Sequence, residues 1–283
     1  MLKNRWIKYG LKTIVDKFSG DTQFASDSVT IRKRVDRIMR VKYSELEQGL
    51  ELVKPILMIG MPHSGTSVLA STFIMHPEIA MWTEAPEVWE PYWEEGVDSE
   101  YNRMISKYDT DVEEMDEKRI RYTFAKFVQS QNKKRLLNKN PRNTSRISYM
   151  RKIFPDAKII HIYRDSRDVV NSIIRNMDKT KMLEEISNRL IRTINEVEIQ
   201  KEKIPKGDFY EIRYEEFCEK PDEILIEAYE KCEMEVSEKI VKKLPKKLPN
   251  FNGNWKKELN SNQQKILQEK LEIMLKKYNY QLF

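Results

Sequence analysis

Only two cysteines, three histidines and eight glycines occur in 283 residues. Cys218 and Cys232 lie on neighbouring helical stretches without metal-ligand spacing, which argues against a structural disulfide and for a reducing compartment. His63, His76 and His161 are too scattered for a zinc site, so no metal is expected. No apolar run approaches the length of a membrane span. The N-terminus lacks the apolar block and cleavage site of a signal peptide, so a cytoplasmic location is expected. Internal repeats are absent, and no linker is long enough to split the chain.

What is present is a globular composition. Hydrophobic residues reach 40% and aromatics 10%, enough to build a core. Charged residues make up 34%, yet the net charge is only +6, which suits an anionic ligand and does not indicate a nucleic-acid binder. The first 18 residues carry Trp6, Ile7, Leu11, Ile14, Val15 and Phe18 at roughly helical spacing among Lys and Arg. They read as a helix packed on the domain or as a peripheral membrane contact.

Residues 1–50 read as a helical N-terminal extension. From Lys54 the pattern switches to short β-branched runs alternating with longer amphipathic stretches. That alternation predicts an α/β fold, a central and mostly parallel sheet flanked by helices, over residues 51–283. Pro55 to Gly60, Ile79 to Glu84, Arg135 to Lys139, Ala157 to Tyr163 and Asp208 to Tyr214 read as strands. Helices are expected over about 112–131, from Asn143 or Thr144 as N-cap, after Tyr163, over 181–203, from Pro221 and over the last 18 residues before Asn279.

The run GMPHSGTSVL (Gly60 to Leu69) joins the first strand to the first helix. Such a junction gathers backbone N–H groups and a helix dipole at one point, and Ser64, Thr66 and Ser67 add hydroxyls, so it can cradle phosphate or sulfate. Gly60, Gly65 and Ser67 are in register with a Walker A loop, but Thr66 stands where that loop has lysine. The missing lysine counts against an ATP- or GTP-dependent phosphotransferase. A second anion site is suggested by Arg164 at the end of a strand and Ser172 eight residues later on the following helix.

Together these residues resemble the sulfotransferase family that uses 3′-phosphoadenosine 5′-phosphosulfate (PAPS). Its 5′-phosphosulfate loop, P-[K/R]-[S/T]-G-T-[T/S]-x-L, matches Pro62 to Leu69 except at His63. Its 3′-phosphate pair, an Arg and a Ser eight residues on, matches Arg164 and Ser172. Looser likenesses surround "LNKNPRNTSRISYMRKIFPDAKIIHIYRD", "EIRYEEFCEKPDEIL" and "NGNWKKEL", and the first points to the carbohydrate and tyrosylprotein branch. The resemblance implies a P-loop NTPase-like architecture and a nucleotide held by His63, Ser64, Gly65, Thr66, Ser67, Arg164, Ser172, Tyr214, Trp255 and Lys256.

It further implies sulfuryl transfer from PAPS to an acceptor hydroxyl, leaving 3′,5′-adenosine bisphosphate (PAP), with a carboxylate base and no metal. Glu84 is the favoured base and Glu87 the other candidate. Lys139 and His63 are candidates to offset charge on the transferring group, although His63 also reads as a structural loop residue. Trp82, Trp89, Tyr92 and Trp93 read either as acceptor-lining aromatics or as core. The acceptor is left open among carbohydrate or glycolipid, peptide tyrosine and small hydroxylated metabolites. A P-loop nucleotide kinase and a non-catalytic nucleotide-binding relative remain as alternatives.

Overall fold

A computed structural model describes residues 50–89, 114–175 and 178–282. The N-terminal extension, Tyr92 and Trp93 lie outside the described residues. Five strands, β1 (Ile56–Ile59), β2 (Ile79–Thr83), β3 (Arg135–Lys139), β4 (Lys158–Tyr163) and β5 (Phe209–Arg213), form one sheet in the order β2-β3-β1-β4-β5. Every pairing is parallel.

The alternation of side chains along each strand explains the layers. Ile56 and Met58 of β1 enter one apolar cluster, and Leu57 and Ile59 enter another on the opposite face. β3 divides Leu137 and Leu136 between the same two clusters, as β4 divides Ile160 and Ile159. A strand buried on both faces reads as a continuous apolar run, which is what the sequence of β1 shows. Burying each such Ile or Leu contributes roughly 1.5–3 kcal/mol.

One face is covered by α1 (Thr66–Phe73), α7 (Tyr214–Glu219) and α8 (Pro221–Lys231), whose Phe73, Phe217 and Tyr229 are fully buried. The other is covered by α3 (Glu114–Ser130) and α4 (Ile147–Ile153), following the single-turn α2 (Pro86–Trp89). α5 (Ser166–Ile174), α6 (Lys179–Lys201), α10 (Asn254–Glu258) and α11 (Ser261–Lys277) enclose a third cluster that includes Val170, Leu190 and Leu271. The remaining short helix, α9, spans Glu238–Val241. α11 starts with a capping box: Asn260 Oδ1 accepts the Gln263 N–H, and Gln263 Oε1 accepts the Asn260 N–H.

One sequence expectation is corrected. Asn143 and Thr144 do not cap α4. They lie inside a 3₁₀ turn, Pro141–Ser145, capped by Asn140, whose Oδ1 accepts the Arg142 N–H at 3.1 Å. Pro141 has a fixed φ and no N–H to lose, so the turn starts there and α4 is delayed to Ile147.

From β1 the chain crosses to β2 on one side of the sheet, and from β4 it proceeds to β5 on the other. The connections after β1 and β4 therefore diverge. The carboxyl ends of β1 and β4 thus form the switch point of the sheet, the place where open α/β sheets bind ligands.

Candidate active site

The loop after β1 is shaped for close approach. Gly65 has φ +104°, and a Cβ there would fall 2.5 Å from Cδ2 of Tyr214. Only glycine fits both that backbone and that ring. Gly65 is the N-cap of α1 and offers no side chain, so the first N–H groups of the helix have neither an intrahelical carbonyl nor a side-chain cap. Ser64 Oγ is buried without a hydrogen-bond partner in the protein. Thr66 is buried, while Ser67 and His63 face solvent. The start of the loop is clamped by Thr144, whose Oγ1 accepts the Gly60 N–H at 3.0 Å.

β4 delivers Arg164 to the same place. Its Nη1 donates to the His63 carbonyl at 3.0 Å, Nε to Asn252 Oδ1 at 2.6 Å and Nη2 to the Phe251 carbonyl at 2.7 Å. The guanidinium lies over the Tyr214 ring, 4.5 Å from its centroid. Arg164 therefore does not bridge to Asp165 or Asp168. Asp165 instead caps α5 and takes the fork of Arg167, at 3.0 and 2.8 Å. Asp168 accepts the N–H groups of Gly253 (2.7 Å) and Trp255 (3.3 Å), which fixes the start of α10. Burial raises the Asp168 carboxyl above its ordinary value, although the Gly253 N–H and the Arg164 charge oppose this.

His63 sits at φ +68° between the two motifs. Desolvation by the surrounding atoms lowers its imidazole pKa, and the charges of Arg164 and Arg175 lower it further. A bound sulfate would push the other way. In the ligand-free protein desolvation and, after it, the two arginines act in the same direction.

At the end of β2 the chain makes an unusual turn. Glu84 and Ala85 are both left-handed, at φ +61° and +59°. Such non-glycine residues cost of order 1–3 kcal/mol each and collect at functional sites. The Glu84 N–H donates to the Lys139 carbonyl, and Glu84 Oε1 receives the Lys139 ammonium at 3.1 Å. Lys139 ends β3 and is buried, 5% exposed, whereas the Glu84 side chain is 40% exposed. The pair thus has a buried cation and a carboxylate open to an incoming group.

The other expected residues are placed as follows. Ser172 is half-buried on α5, in the turn after Asp168. Tyr214 is buried between Gly65 and Arg164, and its hydroxyl accepts the Phe251 N–H. Trp255 is buried in the third cluster with Arg167 stacked on it at 4.7 Å, and Lys256 is exposed beside it. Trp82 and Trp89 are core residues that pack on Phe124.

A model of the sulfotransferase family matches residues 55–238, well over half of the chain. The chain belongs to the sulfotransferase family. Protein-tyrosine sulfotransferase A of Caenorhabditis elegans is 25% identical over 146 residues, 45% of this chain and 35% of that protein. The chain thus matches about a third of that curated relative's length. Among solved structures, sulfotransferase STF9 from Mycobacterium avium superposes with a TM-score of 0.60 at 15% identity, covering 96% of this chain and 91% of that one. A sulfotransferase from Alicyclobacillus acidocaldarius gives a TM-score of 0.53 at 15% identity, covering 82% and 98%. These likenesses concern the fold.

Within this sulfotransferase frame, four residues were not singled out from the sequence as parts of the site: Thr144, Glu215, Asn252 and, for its grip on α10, Asp168. Glu215 Oε1 accepts the Asp165 N–H at 3.1 Å and the Asn252 amide, and Oε2 accepts the Tyr280 hydroxyl at 2.9 Å. Only Asn252 had a local signal, the Gly253 beside it, which is left-handed at φ +84°. The family match stops before that loop.

Proposed function

We propose that this protein transfers the sulfuryl group of PAPS to an acceptor hydroxyl. The observation that carries the reading is the hydrogen bond from Arg164 to the His63 carbonyl, which brings the two candidate anion motifs side by side within a family of sulfotransferases. The residues fit a nucleotide with phosphates at both ends. Uncapped N–H groups of α1 and the unpartnered Ser64 hydroxyl suit the 5′ end, and Arg164 with Ser172 suits the 3′ end.

PAPS supplies the activated sulfuryl group. The protein's part is positioning and electrostatics. Glu84 accepts the proton of the acceptor hydroxyl, and the buried Lys139 holds that side chain in place. Backbone N–H groups of the loop, with His63 at its rim, offset charge on the group in flight. On this reading the reaction needs no metal.

The acceptor is a hydroxyl on a carbohydrate or glycolipid, on a peptide tyrosine or on a small metabolite, and the name of one relative supports the tyrosine class. The test is incubation with ³⁵S-labelled PAPS and separate acceptor panels, with and without EDTA. Label transfer that survives EDTA is the expected result. Mg²⁺-dependent ATP turnover without sulfate transfer would favour a kinase. Nucleotide binding without either would leave a non-catalytic relative.

A further inference from the structure

Asn138 is a polar side chain on an otherwise apolar face. It is 1% exposed, the residue before Lys139 on β3, and its partners Trp82 and Trp89 belong to the core. A primary amide in such a place is costly unless both of its ends are satisfied. Both are. Its Nδ2 donates to the Trp82 carbonyl at 2.7 Å, and its Oδ1 accepts the Trp89 indole N–H at 3.0 Å.

The two partners stand on either side of the left-handed turn. Trp82 is in β2, two residues before Glu84, and Trp89 is the last residue of α2, four residues after Ala85. Trp82 and Asn138 are also register partners, as are Thr83 and Lys139. One amide therefore ties the strand entering the turn to the helix leaving it, while the Lys139 carbonyl takes the Glu84 N–H. The Tyr149 hydroxyl anchors the far end of α2 by donating to the Trp89 carbonyl at 3.0 Å. Two consecutive left-handed non-glycine residues persist only where the surroundings over-determine them, and this cross-brace does so.

We infer that Asn138 is a positioning residue: by bracing Trp82 to Trp89 across the turn, it sets the Glu84 carboxylate against Lys139 and so on the line of proton transfer. The inference rests on the reading of Glu84 as base. An apolar residue of the same shape would leave the buried Trp89 indole N–H and the Trp82 carbonyl without this partner, so the asparagine is there for the two hydrogen bonds that cross the turn.

The test uses Asn138→Leu, which keeps the shape and removes both hydrogen bonds, and Trp89→Phe, which removes only the indole donor. Each is expected to lower kcat by roughly 10–100-fold, the range for residues that orient catalytic groups. PAP affinity, measured by calorimetry, is expected to be unchanged, because the loop after β1 and Arg164 are untouched. The double variant should be little worse than either single one. Crystal structures give a readout independent of turnover: the Lys139–Glu84 separation, 3.1 Å here, should open beyond about 4 Å. If Asn138→Leu does not fold, Trp89→Phe carries the test. Wild-type kcat with the pair intact in the folded variants overturns the inference. Glu84→Gln, assayed beside them, separates the two readings: wild-type turnover there overturns Glu84 as base, whereas its loss beside active Asn138 and Trp89 variants overturns the bracing alone.

Discussion

Arg164 Nη1 lies 3.0 Å from the carbonyl oxygen of His63, so the residue just after β4 holds the loop that follows β1. The contact uses one arm of a planar fork whose other nitrogens grip Asn252 and Phe251. Lysine cannot reproduce that geometry, although it keeps the charge. Arg164→Lys is therefore expected to weaken PAP binding by roughly 10–100-fold, the loss of one or two charge-assisted hydrogen bonds. Thermal shift measures it against 5′-AMP. Wild-type protein should be stabilised more by PAP than by 5′-AMP and the variant equally by both; equal shifts in wild type would remove the 3′-phosphate site.

Gly65→Ala tests the loop itself. The added methyl would meet Tyr214 Cδ2 at 2.5 Å on a backbone at φ +104°. The ring is buried, with the Arg164 guanidinium stacked on it. Overpacking of this kind costs about 1–3 kcal/mol, with left-handed strain in addition. Lower thermal stability together with lost PAP binding is expected. Retention of both would show that the ring yields.

Glu84→Gln and Lys139→Ala divide chemistry from binding. Turnover in each should fall by about 10²–10⁴, the range for a positioned proton acceptor, with PAP affinity retained. Parallel loss of PAP affinity would instead place the pair in the nucleotide site.

His63 sets a pH dependence of PAP binding. In the free protein its imidazole titrates below the ordinary value because of desolvation, then Arg164, then Arg175. A bound phosphate favours the charged form, so binding takes up a proton. PAP affinity should therefore rise as pH falls from roughly 8 to 5.5 around the ordinary histidine value. The rise should be absent in His63→Lys. Parallel profiles would make His63 a structural loop residue.

Acid stability has its own source, away from the candidate active site. Burial alone would raise the Glu211 carboxyl, but the hydrogen bond and charge of His161, with Lys201, outweigh it and bring the group down to about 2. A carboxylate depressed on folding adds stability that is full above its unfolded value of 4.5 and lost as pH falls towards 2. The contribution is on the order of 3 kcal/mol. Urea unfolding from pH 6 to 2.5 should show Glu211→Gln less stable at pH 6 and converging on wild type at the acid end. A constant gap would assign the loss to packing.

The sequence alone determined the strands, the order of β-α units and the glycine-bearing loop after β1, because these are written locally. A buried parallel strand must be a short apolar run, and a loop with backbone at φ +104° against a buried ring must have glycine there, as Gly65 shows. The eight-residue spacing of Arg164 and Ser172 is equally local. Tertiary structure decided what depends on distant partners. It turned Trp82, Trp89 and Trp255 inward, because their large apolar rings gain more from the clusters beside β2 and α11 than from solvent. It moved the start of α4 beyond a proline-led turn. It joined Arg164 to Asn252, 88 residues away, and Glu84 to Lys139, 55 residues away. A hydrogen bond between distant segments leaves no periodic trace in a chain: the register of β2 on β3 brings Glu84 to Lys139, and the loop before α10 brings Asn252 to Arg164.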